Sequence, residues 1–403
     1  MPLSDQAHSA RRVAITAFGV VSPLGLGATE NLTSLQAGRD AVLPVTSFDV
    51  SRCRAKTAGQ IPNLPAAPEK VYRPSVWHRS SLMVAAAMTE AKDGDPAFTP
   101  ELVVVGTTSG GMSNGEAFHR AQIGHRHPPE RAAWLANYMP QKAVLDGLLA
   151  SDWSAPMQII ANACASGTNA IGHAFRLIRG GQHTRILCGG YDAISELVFV
   201  GFDSLQASTP EKVRPFDRDR TGLVLGEGAA MFCLEDWNTA VTRDAPICGE
   251  VTGYGIATDN HHLTQPHPSG IGPRQAMSRA LADARREPGD IDYINAHGTA
   301  TTFNDATEAA AITELFGPGA VPVSSTKSMM GHSLGAAGAI EASFSLLALR
   351  HGFLPPNINF IHADPGCRLE IVANQAREAD VRRVVSNSFG FGGTNASLVL
   401  EAL

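Results

Sequence analysis

The chain has 403 residues, 44% hydrophobic and 17% charged, with a formal net charge of −6 at neutral pH. That length and apolar content support a large core spread over two or three domain-sized units, and the acidic balance excludes a global basic field for nucleic acid or an anionic membrane. The opening MPLSDQAHSARRVAITAFGV is not built as a secretory leader and no run approaches eighteen uninterrupted apolar residues, which predicts a cytoplasmic protein outside the membrane.

In chain order, short β-branched runs alternate with longer helical patterns: VAITAFG (13–19), LVVVGTT (102–108), RILCGGYDA (185–193), IDYINAHG (291–298) and VPVSSTK (321–327). The alternation predicts an α/β fold with buried, largely parallel strands. The stretch at about 112–154, rich in His, Pro, Trp and Met, reads as an insertion that caps a site or builds a subunit interface. Two segments, 166–180 and about 331–350, are small and apolar nearly all round. A helix without a polar face is buried on all sides, so each is expected between layers. In each half a strand leads to a loop with a reactive residue and then to such a helix. This echo predicts a layered α/β/α/β/α duplication with halves 1–245 and 246–403, meeting near EDWNTAVTRDAP.

Six cysteines (Cys53, Cys164, Cys188, Cys233, Cys248, Cys367) lack CxxC spacing, which argues against zinc or a disulfide framework. By default each is a buried structural thiol. Cys164 differs in context: in QIIANACASGTNAIGHAF an apolar strand-like run ends among small residues and a helix begins. There the helix dipole and free N–H groups are expected to lower the thiol pKa, and Ala163, Ala165 and Gly167 leave room for a carbonyl.

His297, in YINAHGTATTFNDATEAAAI, and His332, in SSTKSMMGHSLGAAGAIEA, each occupy a strand-to-helix loop, where open α/β sheets place their sites. A lone histidine is more often a core or surface residue; two with matching placement suit a common reaction. A thiolate accepts an acyl group, and two imidazoles donate hydrogen bonds to an enolate formed by decarboxylation. Lys327 either stabilises negative charge or holds a loop through Glu308. In NSFGFGGTN, between predicted strands 383–386 and 396–400, Phe389, Gly390, Phe391 and Gly392 form either a plain hairpin turn or a mobile plug whose N–H groups face an oxyanion.

Taken together, VAITAFGVVSPLG, ACASG, PFDRDRTGLVLGEGA, NAHGTAT, STKSMMGHSLGAAGAIEA and NSFGFGGTNASL resemble, in order and spacing, the elongating Cys-His-His β-ketoacyl-acyl-carrier-protein synthases of the thiolase superfamily, over nearly the whole chain. The resemblance implies a five-layer thiolase-like fold and decarboxylative condensation of a Cys164-bound acyl group with malonyl carrier protein, in fatty-acid or polyene and polyketide-type elongation. It implies His297 and His332 on the thioester carbonyl, Lys327 ordering them with Glu308, and an oxyanion hole from the N–H groups of Cys164 and Phe391, with Phe391 as gate. Thr299 and Thr301 match positions that hold the phosphopantetheine arm. Asn295, Glu341, Ser386 and Asn387 match a structural Na+ or K+ site, and no cofactor is required.

Partners implied are an acyl carrier protein and a second subunit, in a homodimer or a heterodimer with another ketosynthase-like chain. Arg39, Lys56 and Arg73 are candidate contacts for an acidic carrier, against the plainer reading of solvated surface. Two departures stand out. HGTATTFND lacks a proline and a glycine found in many relatives, and Ser109, in GTTSGGM, replaces a bulky aliphatic residue of the acyl pocket. The smaller polar side chain points away from ordinary long-chain fatty acids, toward an unsaturated or aryl-polyene-type chain. A non-catalytic partner subunit would not need Cys164, His297 and His332 together, and a thiolase would need a second cysteine in the glycine loop, which carries Phe389 and Phe391 instead.

Overall fold

The computed structural model describes residues 11–67, 77–125 and 131–403. Its backbone is a 12-stranded mixed sheet. From one edge the strand order is Glu370–Ile371, Pro322–Ser324, Tyr293–Asn295, Arg383–Gly390, Thr394–Glu401, Gly249–Thr258, Val13–Ser22, Gly228–Asp236, Arg185–Asp192, Leu102–Gly106 and Met157–Ile160, and the twelfth strand, Gly25–Leu26, pairs with Val13–Ser22 off this path. The strands of the two chain halves meet where Val13–Ile15 pairs with Gly249–Val251.

The expectation of largely parallel strands is corrected. Parallel pairing is confined to the two flanks, as between Tyr293–Asn295 and Pro322–Ser324 or Leu102–Gly106 and Met157–Ile160, whereas the middle of the sheet is antiparallel. The sequence signal was burial rather than direction. Val13–Ser22 and Gly228–Asp236 are buried at every position because helices cover both faces, and that erases the alternation by which an antiparallel strand is usually read.

Helices Ser166–Arg179 and Ala337–His351 pack against each other and against strands of both halves, forming the middle layer. Their close approach needs small residues: a Cβ on Gly338 would lie 1.9 Å from Thr168 Oγ1. Ala337–His351 is buried continuously to Leu349, as its all-round apolar sequence requires. Helices Arg79–Gly94 and Gln141–Ala150 cover the outer face of one flank through Met83, Val84 and Met88. Ile271–Ala284 and Thr302–Phe316 cover the other through Met277, Leu281 and Ile312. The order α/β/α/β/α is the thiolase-like arrangement. The stretch 112–154 folds as three short helices, Met112–Ile123, Arg131–Tyr138 and Gln141–Ala150, and leaves Ile123, Leu135, Leu145 and Leu149 exposed.

Candidate active site

Each reactive residue sits just past the C-terminal end of a strand in a parallel pair. Met157–Ile160 leads to Cys164, Tyr293–Asn295 to His297, and Pro322–Ser324 to Lys327 and then His332. Parallel neighbours end on the same side, so their following loops converge. Cys164, His297 and His332 all line one cavity of about 220 Å³, with Thr299, Thr301, Phe389 and Phe391. The imidazoles of His297 and His332 lie edge to face, with ring centroids 5.2 Å apart.

A sharp elbow presents the thiol. Ala163 holds the left-handed conformation at φ 55°, uncommon for a residue with a Cβ, and the Ser166 hydroxyl locks the turn by accepting from Asn162 N–H and donating to Ala163 C=O at 2.6 Å. Backbone N–H groups of Phe391 and of Cys164 itself favour the thiolate form of this sulfur. The glycine loop reaches this close because Gly390 has no side chain: a Cβ there would stand 3.1 Å from the Cys164 nitrogen.

The expected lowering of the Cys164 pKa is corrected. Burial pushes the thiol up to about 11, and this outweighs Lys327 and the two N–H groups that favour thiolate. The helix-dipole argument was local; desolvation comes from everything packed around the sulfur. Both histidines are driven the other way, well below their ordinary value, first by burial and then by the Lys327 charge. At neutral pH the site therefore holds a neutral thiol and two neutral imidazoles. Neither ring nitrogen of His332, nor Nδ1 of His297, has a hydrogen-bond partner among the described residues, so these atoms are free for a ligand.

The expected Lys327–Glu308 link is not a direct contact: the lysine reaches Glu308 as a charge that lowers its carboxyl pKa. The Lys327 ammonium pairs directly with the Glu341 carboxylate, both fully buried. Removing one partner of such a pair costs about 3–5 kcal/mol. Glu308 instead accepts from the backbone N–H groups of His297 and Gly298, each at 2.8 Å, and so holds the histidine's loop rather than the lysine. Burial raises both carboxyls to about 7, against the pull of these donors and of Lys327. Because Lys327 lowers the Cys164 pKa, Lys327→Met is expected to move the pH midpoint of Cys164 alkylation by iodoacetamide upward from about 11. A midpoint that stays in place or falls would show that the lysine charge does not reach the sulfur.

Of the four residues matched to a cation site, three share a face and the fourth turns its side chain away. Asn295 and Ser386 are register partners on parallel strands and share a face, and Asn295 Nδ2 donates to the Glu341 carbonyl. Asn387, next along the strand, points to the opposite face, where its amide meets Glu308 and the Ser397 hydroxyl. Three buried oxygens remain without partners, Asn295 Oδ1, Ser386 Oγ and Glu341 Oε2. An all-oxygen set of this kind fits a hard monovalent cation, without the Asn387 side chain.

Ser109 does not bring a polar group to the cavity. Its hydroxyl and N–H both donate at 2.8 Å to the buried Asp192 carboxylate, which also takes the N–H of Thr108 and of Gly335. Thr299 and Thr301 stand with hydroxyls 2.9 Å apart in the cavity. The basic candidates are occupied: Arg39 donates to Pro23 C=O and Lys56 to Val50 and Ser51 C=O, while Arg73 lies outside the described residues.

Two site residues escaped the sequence reading. Phe202 stacks on Phe391, with centroids 5.4 Å apart and planes at 15°. Asp259 anchors the glycine loop by accepting from Asn395 Nδ2 at 2.8 Å and donating its N–H to Gly393 C=O. Both belong to segments remote from the loop in sequence, and no local pattern marks them.

A buried thiol at a strand-to-helix elbow, two N–H donors on the sulfur side and two neutral imidazoles across one cavity define a thiol-dependent acyl-transfer enzyme. Comparison with known proteins narrows the class. Residues 10–240 match the family "Beta-ketoacyl synthase, N-terminal domain" and residues 248–361 match "Beta-ketoacyl synthase, C-terminal domain". The chain is 38% identical to 3-oxoacyl-[acyl-carrier-protein] synthase 2 of Coxiella burnetii, over 97% of this chain and 98% of that one. It is 37% identical to the oxytetracycline polyketide putative beta-ketoacyl synthase 1 of Streptomyces rimosus, over 98% of both. The structure titled the ishigamide ketosynthase/chain length factor superposes with a TM-score of 0.91 at 35% identity, covering 98% of this chain and 100% of that one. The chain belongs to the β-ketoacyl synthase family. Among the described residues, no helix is long and apolar enough to cross a membrane.

Proposed function

We propose that this chain is a cytoplasmic 3-oxoacyl-carrier-protein synthase in which Cys164 takes an acyl group from a carrier thioester and condenses it with a malonyl unit. The observation that carries the reading is the convergence of Cys164, His297 and His332 on one cavity in which both imidazoles are neutral. In the first half-reaction the Cys164 sulfur attacks the thioester carbonyl, the oxyanion rests on the N–H groups of Cys164 and Phe391, and the carrier's thiol leaves with the proton. In the second, the malonyl carboxylate departs as carbon dioxide and the enolate oxygen accepts hydrogen bonds from His297 and His332. The enolate carbon then attacks the Cys164 thioester and releases the sulfur. Neutral imidazoles suit this step because a buried cation pair would hold the malonyl carboxylate rather than favour its loss.

Burial, helped by the Lys327 charge, keeps the imidazoles neutral, Glu308 fixes the His297 loop, and Thr299 with Thr301 lines the path of the pantetheine arm. Phe391, stacked on Phe202, gates the cavity beside Phe389, Gly390 and Gly392. Asn295, Ser386 and Glu341 would hold Na+ or K+ as a structural charge in this reading, with no part in bond making. The Ser109 hydroxyl is engaged by Asp192, so what the position offers an acyl chain is space rather than polarity. The exposed apolar helices of 112–154 support a dimer of identical chains. The likeness to a ketosynthase/chain length factor pair favours, as a second reading, assembly with a different ketosynthase-like subunit.

The test is mass spectrometry of the purified protein after exposure to a panel of acyl carrier thioesters. One acyl group is expected on Cys164, and native spectra of the same sample give the subunit count. A chain that stays unmodified across the panel would refute the synthase reading, and a monomer would refute the dimer.

A further inference from the structure

We propose that Asp192 is a positioning residue for the decarboxylation step: its buried carboxylate holds the turn that follows His332 and so sets that imidazole across the cavity from Cys164. The inference rests on the synthase reading above and adds to it a residue that acts through His332.

Neither nitrogen of the His332 ring has a hydrogen-bond partner among the described residues. The place of the ring is therefore set by its backbone and by packing. At His332 itself the backbone is fixed, since its N–H donates to Val224 C=O at 2.7 Å and its C=O accepts the Gly226 N–H at 2.8 Å. Beyond it the chain enters the short turn Leu334–Ala336 through a strained residue: Leu334 is buried and holds φ 53°, a left-handed conformation that leucine rarely adopts. Such a conformation persists only where its surroundings enforce it. The anchor is the next residue, whose N–H donates to Asp192 Oδ2 at 2.6 Å. Glycine is needed there, because a Cβ on Gly335 would stand 2.7 Å from that oxygen and 2.7 Å from the Thr108 nitrogen.

Asp192 closes strand Arg185–Asp192 and collects further donors from a third segment. Oδ2 also accepts the Thr108 N–H at 2.9 Å, and Oδ1 accepts the Ser109 N–H and the Thr107 and Ser109 hydroxyls, each at 2.8 Å. Burial raises the Asp192 pKa, and the donors of 107–109 pull it back toward the carboxylate. This loop also reaches the nucleophile, since the Thr108 hydroxyl donates to Ala163 C=O at 3.2 Å on the elbow that presents Cys164. One buried carboxylate thus spans the two segments that carry the sulfur and the imidazole, and a shift at Asp192 is passed to the distance between them.

The experiment reads two steps on Asp192→Ala and Asp192→Asn, each first checked for folding by circular dichroism. The steps are octanoyl transfer from octanoyl-pantetheine to Cys164 and carbon dioxide release from malonyl-pantetheine. For Asp192→Ala the decarboxylation kcat is expected to fall at least about thirtyfold with KM within about twofold of wild type, because a misplaced group costs rate before it costs binding. Asp192→Asn keeps one acceptor oxygen and is expected to recover at least about threefold of that loss. Octanoyl transfer should slow by less than about twofold in both, because the elbow keeps its Ser166 lock and the Asp192 charge raises the Cys164 pKa. A change that only loosened the fold would depress both steps together. If Asp192→Ala does not fold, Asp192→Asn decides, with an expected fall in decarboxylation of at least about threefold. Decarboxylation within about twofold of wild type in every folded variant, an equal fall in both steps, or a rise in KM at constant kcat would each overturn the positioning role. A wild type that neither accepts octanoyl nor releases carbon dioxide would instead overturn the synthase reading, so the two failures are distinguishable.

Discussion

Replacing Cys164 by alanine is expected to abolish condensation, by roughly 10⁵-fold, while malonyl decarboxylation continues. In the proposed reaction the sulfur carries the acyl unit, and alanine leaves the acyl donor with no acceptor. Decarboxylation asks something different of the site, namely hydrogen bonds to the enolate oxygen. In the proposed reaction those come from His297 and His332, whose rings lie 5.2 Å apart and whose neutral state depends on burial and on Lys327 rather than on the thiol. Carbon dioxide release from malonyl carrier protein and β-ketoacyl product formation, measured side by side, check the split. Undiminished condensation by the alanine variant would disprove the role of Cys164.

The second large effect is expected at His332. His332→Ala should still load acyl groups on Cys164, because in the proposed mechanism the oxyanion of that step is held by the Cys164 and Phe391 N–H groups. Decarboxylation should fall by about 10²–10⁴-fold, the usual loss when one positioned donor or proton-transfer group is removed. His332 suits this test because neither ring nitrogen has a hydrogen-bond partner among the described residues. Its removal therefore strips a ligand contact more than a structural one. Radiolabelled acyl loading and carbon dioxide release, read on the same protein, separate the steps. Normal decarboxylation with failed loading would reverse the assignment.

The reactive residues were legible because their chemistry and their positions agree. Cys164, His297 and His332 are uncommon reactive types among small residues at strand-to-helix junctions, and each junction is written in a short contiguous string. The middle-layer helices were legible for the same local reason, since Ala337–His351 has no polar face until its last turn. Ser386 and Asn387 are consecutive on a strand, so alternation places their side chains on opposite faces, and the structure turns the Asn387 side chain to Glu308.

By itself the sequence determined which residues are candidates for the chemistry, which helices lie between layers and which family the chain resembles, because composition and period are carried by neighbours along the chain. Only the tertiary structure decided that Lys327 meets Glu341 and not Glu308, that Phe202 and Asp259 brace the glycine loop, that Ser109 faces Asp192, and that the Cys164 thiol is raised instead of lowered. The reason is common to all four: pairing and desolvation depend on which distant segments fill the space around an atom, and no local string encodes that.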